Sequence, residues 1–227
     1  MRKKLTVLVL FCIIILTSCS LTDKLGFDTY DYMSESIVSV HDIHDETAAE
    51  IYEMLEVLVS DKTVLPTFDN MNDAIREYRD AVLMFMLESG YAKYSGNTEL
   101  IEKAEKSYPE YTISQIIPES EFEATMYRYF GGNVKITHRD GDRFKYLPKV
   151  GAYISPSVTE SAKPETEITY LAETEKTYRV RFKVCTSKDS EDEEYFALII
   201  KREDGTLYFK KLRLRRLSVW TRGADFL

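Results

Sequence analysis

The chain has 227 residues and a formal net charge of −8, and 44% of its residues are hydrophobic and 12% aromatic. This composition excludes a disordered stalk and a low-complexity surface repeat, because it supplies enough apolar surface for a packed core. The overall acidity also disfavours a nucleic acid as the partner. We therefore expect a globular protein with one large domain or two small ones.

The first 18 residues have the pattern of a bacterial export signal. Three basic residues near the start precede an apolar stretch of 12 residues, which is too short to span a membrane as a helix. The stretch ends in Leu16-Thr17-Ser18-Cys19, which resembles the lipobox of bacterial lipoproteins. The alternative is an ordinary cleaved signal that happens to contain a cysteine.

The lipobox resemblance implies that a diacylglyceryl group is attached to Cys19, that the chain is cleaved before this residue, and that the new N-terminus is acylated. Two or more acyl chains of the palmitate type are enough for stable membrane attachment. The expected location is the extracytoplasmic side of the cell membrane or outer membrane. Residues 19–30 then form a tether, residues 31–130 a helical region and residues 131–227 an antiparallel β region that packs with the last helix.

The cysteine count limits the kinds of stabilisation that are available. Cys12 leaves with the signal and Cys19 is lipidated, so only Cys185 remains as a thiol. This excludes an intramolecular disulfide and a cysteine-based zinc scaffold. We interpret Cys185 as a small buried residue of a strand, because a nucleophilic role needs a histidine, and His138 is the only one outside the first predicted helix.

Apolar residues recur at three- and four-residue steps from Met33 to Leu58, which predicts an amphipathic helix of about 28 residues. A second predicted helix follows the loop at Pro66. Asn70 or Asn72 is its expected N-cap, and Gly90 stands where a helix C-cap belongs. We expect these two helices to pair as a hairpin.

Two shorter helices are predicted at residues 97–106 and 118–130, the second with a proline in its first turn. The periodicity then changes to that of extended chain. Residues 134–138 alternate between apolar and polar side chains, and residues 144–146 and 152–154 are short strand candidates.

The clearest strand pattern lies at residues 178–185, where apolar side chains alternate with basic ones. Strands are also predicted at residues 167–172 and 194–202. The sequence at 203–205 is a hairpin turn that leads into a basic strand over residues 206–220. Helices followed by an antiparallel β-meander predict an α+β fold.

The charge is distributed unevenly along the chain. Residues 19–175 carry 14 basic and 30 acidic side chains, whereas residues 176–227 carry 13 basic and 8 acidic ones. One interpretation is that solvated faces simply differ in sign, and the other is a basic face for an anionic partner. The candidates are Arg179, Arg181, Lys183, Lys211, Arg213 and Arg215. Lys210 and Lys211 can share one sheet face only if the strand carries a bulge.

His41 and His44 lie in the only dense cluster of candidate metal ligands. Their i, i+3 spacing places both imidazoles on one face of the predicted helix. No third ligand is indicated, and His44 falls in the apolar stripe, so a structural role is favoured and we expect no metal. No cofactor is expected either, and no known catalytic motif is present, although a pair of acidic catalysts remains an alternative.

The segments Ile117-Pro118-Glu119-Ser120-Glu121-Phe122 and Tyr129-Phe130-Gly131, with the meander that follows, resemble the IseA-type inhibitors of cell-wall endopeptidases. The resemblance covers at most residues 115–216. A second resemblance is to the NTF2-like or cystatin-like sheets of many lipoproteins. Either one implies a non-catalytic binding or inhibitory module in the cell envelope, with an envelope protein or an anionic wall polymer as partner. The alternatives are an envelope hydrolase and a small-ligand-binding domain.

Overall fold

The computed structural model describes residues 31–60, 64–132, 135–155, 164–185 and 193–215. All the helices and strands in these residues belong to one compact unit, Ser36–Leu227. Most helices precede an antiparallel sheet, which confirms the predicted α+β class. No helix in the described ranges is both long and apolar enough to cross a membrane. The predicted signal, Cys19 and the tether lie outside the described residues.

The described residues contain the helices α1 (Glu46–Val59), α2 (Met71–Ser89), α3 (Tyr91–Ser95), α4 (Thr98–Ser107) and α5 (Glu119–Phe130). The second predicted helix is confirmed with its caps. The side chain of Asn70 accepts a hydrogen bond from the backbone of Asp73, and the backbone N–H of Gly90 donates to Met86. Helices α1 and α2 pack against each other as the predicted hairpin.

The predicted helix that begins at Met33 is wrong over its first half. Helix α1 begins only at Glu46, because Asp45 adopts an extended backbone conformation and caps the N–H of Ala48. The preceding residues Ser39–Val40 form a strand instead, and Val40 is 63% exposed. Strand pairing in the tertiary structure has overridden the helical periodicity of this segment.

The described strands are β1 (Ser39–Val40), β2 (Ile116–Pro118), β3 (Lys145–Leu147), β4 (Ala152–Ile154), β5 (Glu165–Glu173), β6 (Thr177–Cys185), β7 (Glu193–Lys201) and β8 (Leu207–Leu214). A five-stranded antiparallel sheet has the order β1-β5-β6-β7-β8, so its last four strands form the predicted meander. The turn between β7 and β8 has Gly205 at φ +83°, a conformation that glycine adopts without steric cost.

A second sheet of three short strands has the order β2-β4-β3. The strand predicted at residues 134–138 is wrong for its described part, since residues 135–138 are irregular and Val134 lies outside the described residues. The reason is visible at Thr137, whose carbonyl accepts a hydrogen bond from the Arg79 side chain at 3.1 Å. A helix side chain therefore satisfies this backbone group in place of a neighbouring strand.

The inner face of the large sheet packs against α1 and α5. Phe182, Tyr195 and Phe209 are each at most 1% exposed there, and burial of such a side chain stabilises the fold by roughly 1.5–3 kcal/mol. The Phe130 ring at the end of α5 lies 6.0 Å from the Phe209 ring and 5.7 Å from the Tyr78 ring of α2. These contacts join the helical half and the sheet in one core.

Candidate functional site

Five of the six predicted basic residues lie on strands β6 and β8, and Arg215 directly follows β8. The strand register brings all six to one face of the large sheet. Directly opposed residues of neighbouring strands share a face. Three rows cross the sheet: Arg179–Leu198–Lys211, Arg181–Phe196–Arg213 and Lys183–Glu194–Arg215. We call this surface, defined by these six cations, the basic face. Strand β7 lies between the two basic strands, yet the cations on both sides of it point the same way.

A β-bulge makes this arrangement possible. Ile199 pairs with Phe209, whereas Leu198 pairs with Lys211, so Lys210 is an extra residue in β8. Phe209 belongs to the core. In a regular strand Lys211 would therefore point into the core as well, two residues further on. The bulge at Lys210 turns Lys211 and the two arginines that follow it to the outer face.

Carboxylates already contact the part of the basic face that β8 supplies. Asp69, in the loop before α2, lies 3.1 Å from Lys211 Nζ and 3.2 Å from Arg213 Nε. Burial alone would raise the pKa of Asp69, but these two cations lower it below its ordinary value. Arg215 forms an ion pair with Glu194 in the same way. The part of the basic face that β8 and Arg215 supply is therefore an ordered network of cations and carboxylates.

Aromatic side chains lie among these cations. The Arg181 guanidinium stands 4.3 Å from the centre of the Tyr170 ring, and Phe196 occupies the middle of the same row. A cation over an aromatic face is held in place electrostatically. Arg179 is only 9% exposed, whereas 58% of the Arg213 side chain is exposed. Arg213 is thus the more accessible of these two arginines.

The two histidines of the predicted metal cluster do not share a helical face, because both precede α1. His41 contacts Asp45 through Nδ1 at 2.9 Å and Glu173 through Nε2 at 2.8 Å. His44 is exposed, and its backbone N–H donates to Asp42. Within the described residues, no group of three or more histidine, cysteine, aspartate and glutamate side chains is arranged to hold a metal ion.

Ser39, His41 and Asp45 have the connectivity of a catalytic triad, but their chemistry is different. The Ser39 hydroxyl lies 3.1 Å from His41 Nε2, yet Glu173 occupies the same nitrogen at 2.8 Å. Burial alone would lower the pKa of His41, but hydrogen bonds to Glu173 and Asp45 raise it overall. A protonated imidazole between two carboxylates does not take a proton from serine. We therefore interpret His41, Asp45 and Glu173 as an ion-paired structural cluster and not as part of a catalytic triad.

A second polar cluster surrounds His138 and unites three parts of the chain. Nδ1 of His138 lies 3.0 Å from the Tyr153 hydroxyl of β4, and Nε2 lies 3.0 Å from Glu123 of α5. Glu119, one turn earlier on α5, is 4.0 Å from Nε2 and accepts a hydrogen bond from Tyr146 of β3. The His138 and Tyr146 rings are stacked with their centres 5.1 Å apart.

Two tyrosine hydroxyls contribute to the hydrogen bonds of this cluster. Burial raises the pKa of Tyr153 to about 12, so its hydroxyl remains protonated and forms a hydrogen bond with His138 Nδ1. On the other side of the ring, Nε2 of His138 lies within hydrogen-bonding distance of the Glu123 carboxylate. Burial, followed by the bond to Glu119, raises the pKa of Tyr146 in the same direction. An imidazole and two carboxylates therefore lie close together, with Glu123 at hydrogen-bonding distance from His138 and Glu119 4.0 Å away.

Neither Glu119 nor Glu123 stands out in a sequence with so many carboxylates. Their i, i+4 spacing on a predicted helix is the only signal, and it does not reveal that His138 packs against that face. The remaining thiol, Cys185, is half-buried at the end of β6 and not fully buried as expected.

No protein family model, curated protein or solved structure matches this chain.

Proposed function

We propose that this chain is a lipid-anchored, non-catalytic binding module on the extracytoplasmic side of a bacterial membrane, and that its basic face holds an anionic partner. One observation carries the proposal: β6, β8 and the residue that follows β8 bring six cations to the same face, although the chain as a whole has a net charge of −8. Charge concentrated on one surface attracts polyanions and anionic surfaces even when the net charge is negative. The lipobox-like sequence at Cys19 supports the location.

The partner that this face suits best is an anionic wall polymer or an acidic surface of an envelope protein. Arg181 with Tyr170, and Phe196 beside it, add flat contact area to the charge. Such a partner would compete with Asp69 and Glu194 for their cations. Binding should therefore be salt-sensitive, as expected for exposed charge pairs.

Charge reversal tests the proposal. The double substitution Arg213→Glu and Arg215→Glu should weaken binding of the detergent-solubilised full chain to immobilised anionic wall polymer or anionic vesicles by at least about tenfold. The matched control is Lys103→Glu with Lys106→Glu, which changes the net charge equally at exposed positions of α4. Thermal unfolding verifies that both proteins remain folded. Equal binding by the two proteins would refute a role for the basic face.

The anchor is tested separately. Replacement of Cys19 by serine should move the protein out of the membrane fraction of intact cells, and the mature protein should lose the mass of its acyl groups. Retention of Cys19→Ser in the membrane without added mass would refute lipid anchoring. Because this experiment does not involve the basic face, the two halves of the proposal can fail independently.

The His138 cluster favours a second candidate function, an envelope hydrolase with acidic catalysts. Glu119 and Glu123 both lie within 4.0 Å of one imidazole nitrogen, and paired carboxylates are the usual catalysts of glycoside cleavage. Turnover of purified wall material by the full chain, abolished by both Glu119→Gln and Glu123→Gln, would establish this alternative in place of a non-catalytic module.

A further inference from the structure

A polar cleft of about 340 Å³ lies between helix α2 and the loop at residues 139–142. Apart from Gly141, all the residues that line it are charged: three carry guanidinium groups and four carry carboxylates. A cleft of this size accommodates a small molecule, but typical ligand pockets are mainly apolar. The lining therefore selects for a small ligand that is itself strongly charged.

Two neighbouring residues of α2, Arg79 and Asp80, form the floor of this cleft and are only 5% and 7% exposed. Arg79 donates to the carbonyls of Thr137 and Asp140. Asp80 accepts from the backbone N–H groups of Asp142 and Arg143, at 2.7 and 3.0 Å. A buried cation and a buried anion on one helix thus hold the carbonyls and the N–H groups of the same loop.

Each of these two side chains still has one polar atom without a hydrogen-bond partner among the described residues, namely Nε of Arg79 and Oδ1 of Asp80. Buried polar atoms are nearly always paired, and an unpaired one costs about 1–3 kcal/mol. Both residues that form the cleft floor thus have incomplete hydrogen bonding within the described residues. Burial, together with the positive charge of Arg139 nearby, lowers the pKa of Arg79, which an anionic group would relieve.

The rim of the cleft carries a cation and an anion that form no ion pair with another described residue. Neither the guanidinium of Arg139 nor the carboxylate of Asp142 has an ion pair or hydrogen bond with another described residue, and both residues are exposed. In contrast, Arg76 is paired with Glu77 at 2.8 Å, and Asp140 is paired with Lys145 at 2.8 Å. Arg139 and Asp142 are thus available to a ligand that has both an anionic and a cationic group.

We propose that this cleft binds a small zwitterion, either a free amino acid or a very short peptide. The carboxylate of such a ligand pairs with Arg139 and approaches Arg79, while its ammonium group pairs with Asp142. A purely anionic ligand would meet the four carboxylates, and a purely cationic one would meet the three guanidinium groups. Only a ligand with both an anionic and a cationic group compensates the guanidinium groups and the carboxylates together. Charge-assisted hydrogen bonds make such recognition specific.

Titration calorimetry of the detergent-solubilised full chain tests this inference. The probes are glycine, alanylalanine, N-acetyl-alanylalanine, which lacks the ammonium group, and alanylalanine amide, which lacks the carboxylate. Removal of either charge should weaken binding at least about tenfold, because a hydrogen bond to a charged group is lost. A preference for glycine would identify a free amino acid as the ligand, and a preference for alanylalanine would identify a peptide.

Single substitutions locate the site. Arg139→Gln and Asp142→Asn should each weaken binding of the preferred zwitterion about tenfold, and Lys103→Gln on α4 should leave it unchanged. The backbone N–H of Gly141, observed by NMR, should shift on addition of this probe. Absence of binding at millimolar concentration, equal binding of the blocked probes, or full binding by both rim variants would overturn the inference. None of these results depends on the basic face.

Discussion

The imidazole of His41 lies 2.8 Å from the Glu173 carboxylate and joins the first strand of the compact unit to the strand beside it. The other oxygen of Glu173 accepts a hydrogen bond from Lys201 at 2.8 Å. This bond, followed by those from His41 and Ser39, outweighs burial and lowers the pKa of Glu173 to about 2. The edge strand β1 has only two residues, and this side-chain contact adds to the backbone hydrogen bonds that Val38 and His41 donate to β5.

We first predict a pH range in which the pair of His41 and Glu173 stabilises the fold. The pKa of His41 is raised, so its contribution is complete below its ordinary value of 6.5 and is lost as the pH rises through the folded-state pKa. The pKa of Glu173 is lowered, so its contribution is present above 4.5 and is lost as the pH falls towards about 2. Both contributions are present between these ordinary values. Asp45 and Tyr178 also contact this imidazole, and Lys201 lies over the Tyr178 ring.

The test is urea unfolding of His41→Gln over a range of pH. Glutamine keeps a hydrogen-bond donor but removes the charge, and we expect it to lower the free energy of unfolding by about 1 kcal/mol near pH 5.5, after allowance for solvent screening. The deficit should shrink at alkaline pH. His44→Gln is the control, since the side chain of His44 is exposed. A deficit of His41→Gln that does not change with pH would contradict the account.

The second prediction compares two glycines. A Cβ atom added at Gly141 would lie 1.8 Å from Oδ1 of Asp80, a carboxylate that is held in place because its other oxygen, Oδ2, accepts two backbone hydrogen bonds. We expect Gly141→Ala to lower the free energy of unfolding by about 2–4 kcal/mol, because the loop must move and buried hydrogen bonds are lost. At Gly205 the Cβ would meet nothing within 4 Å, so only the positive φ opposes alanine, at a cost of about 1 kcal/mol. Denaturant unfolding should rank them in this order, and the reverse order would exclude the proposed clash.

The third prediction concerns the bulge in β8. Deletion of Lys210 should leave Lys211, Arg213 and Arg215 on the outer face, because it removes the extra residue and makes Phe209 and Lys211 neighbours in a regular alternating strand. We expect this variant to keep cooperative unfolding, as measured by circular dichroism. Lys210→Ser, which keeps the extra residue, should unfold within about 1 kcal/mol of the parent protein. Loss of cooperative unfolding in the deletion variant alone would contradict the role assigned to the bulge.

Features that depend on local chemistry were predictable from the sequence. Asn70 and Gly90 mark the ends of α2, and the alternation at residues 178–185 gives the two faces of β6. The first half of the predicted N-terminal helix failed because Ser39–Val40 pairs with residues more than a hundred positions away, which no local periodicity encodes. Two strands of the short sheet β2-β4-β3 were predicted at residues 144–146 and 152–154, but β2 and the pairing of the three strands were not, for the same reason.

The candidate sites, too, could be predicted only in part from the sequence. The basic residues were identifiable as a set, but their common face depends on β7 as the strand between them and on a bulge at Lys210. The contact of His138 with Glu123, and the anchoring of the loop by Asp80, join segments that are 15 and 62 residues apart. The chemistry of individual side chains can be read from a sequence, whereas contacts between distant segments depend on how the whole core packs.

The central claim is that the basic face is where this protein contacts its partner, and site-specific photo-crosslinking in intact cells tests it most directly. A photoreactive residue replaces Lys183 on the basic face in one version of the full chain and the exposed Lys103 of α4 in another. The account predicts an adduct with an anionic wall polymer or an acidic envelope protein from position 183 only, and a loss of this adduct at high salt. Identical adducts from both positions, or none from position 183, would contradict it.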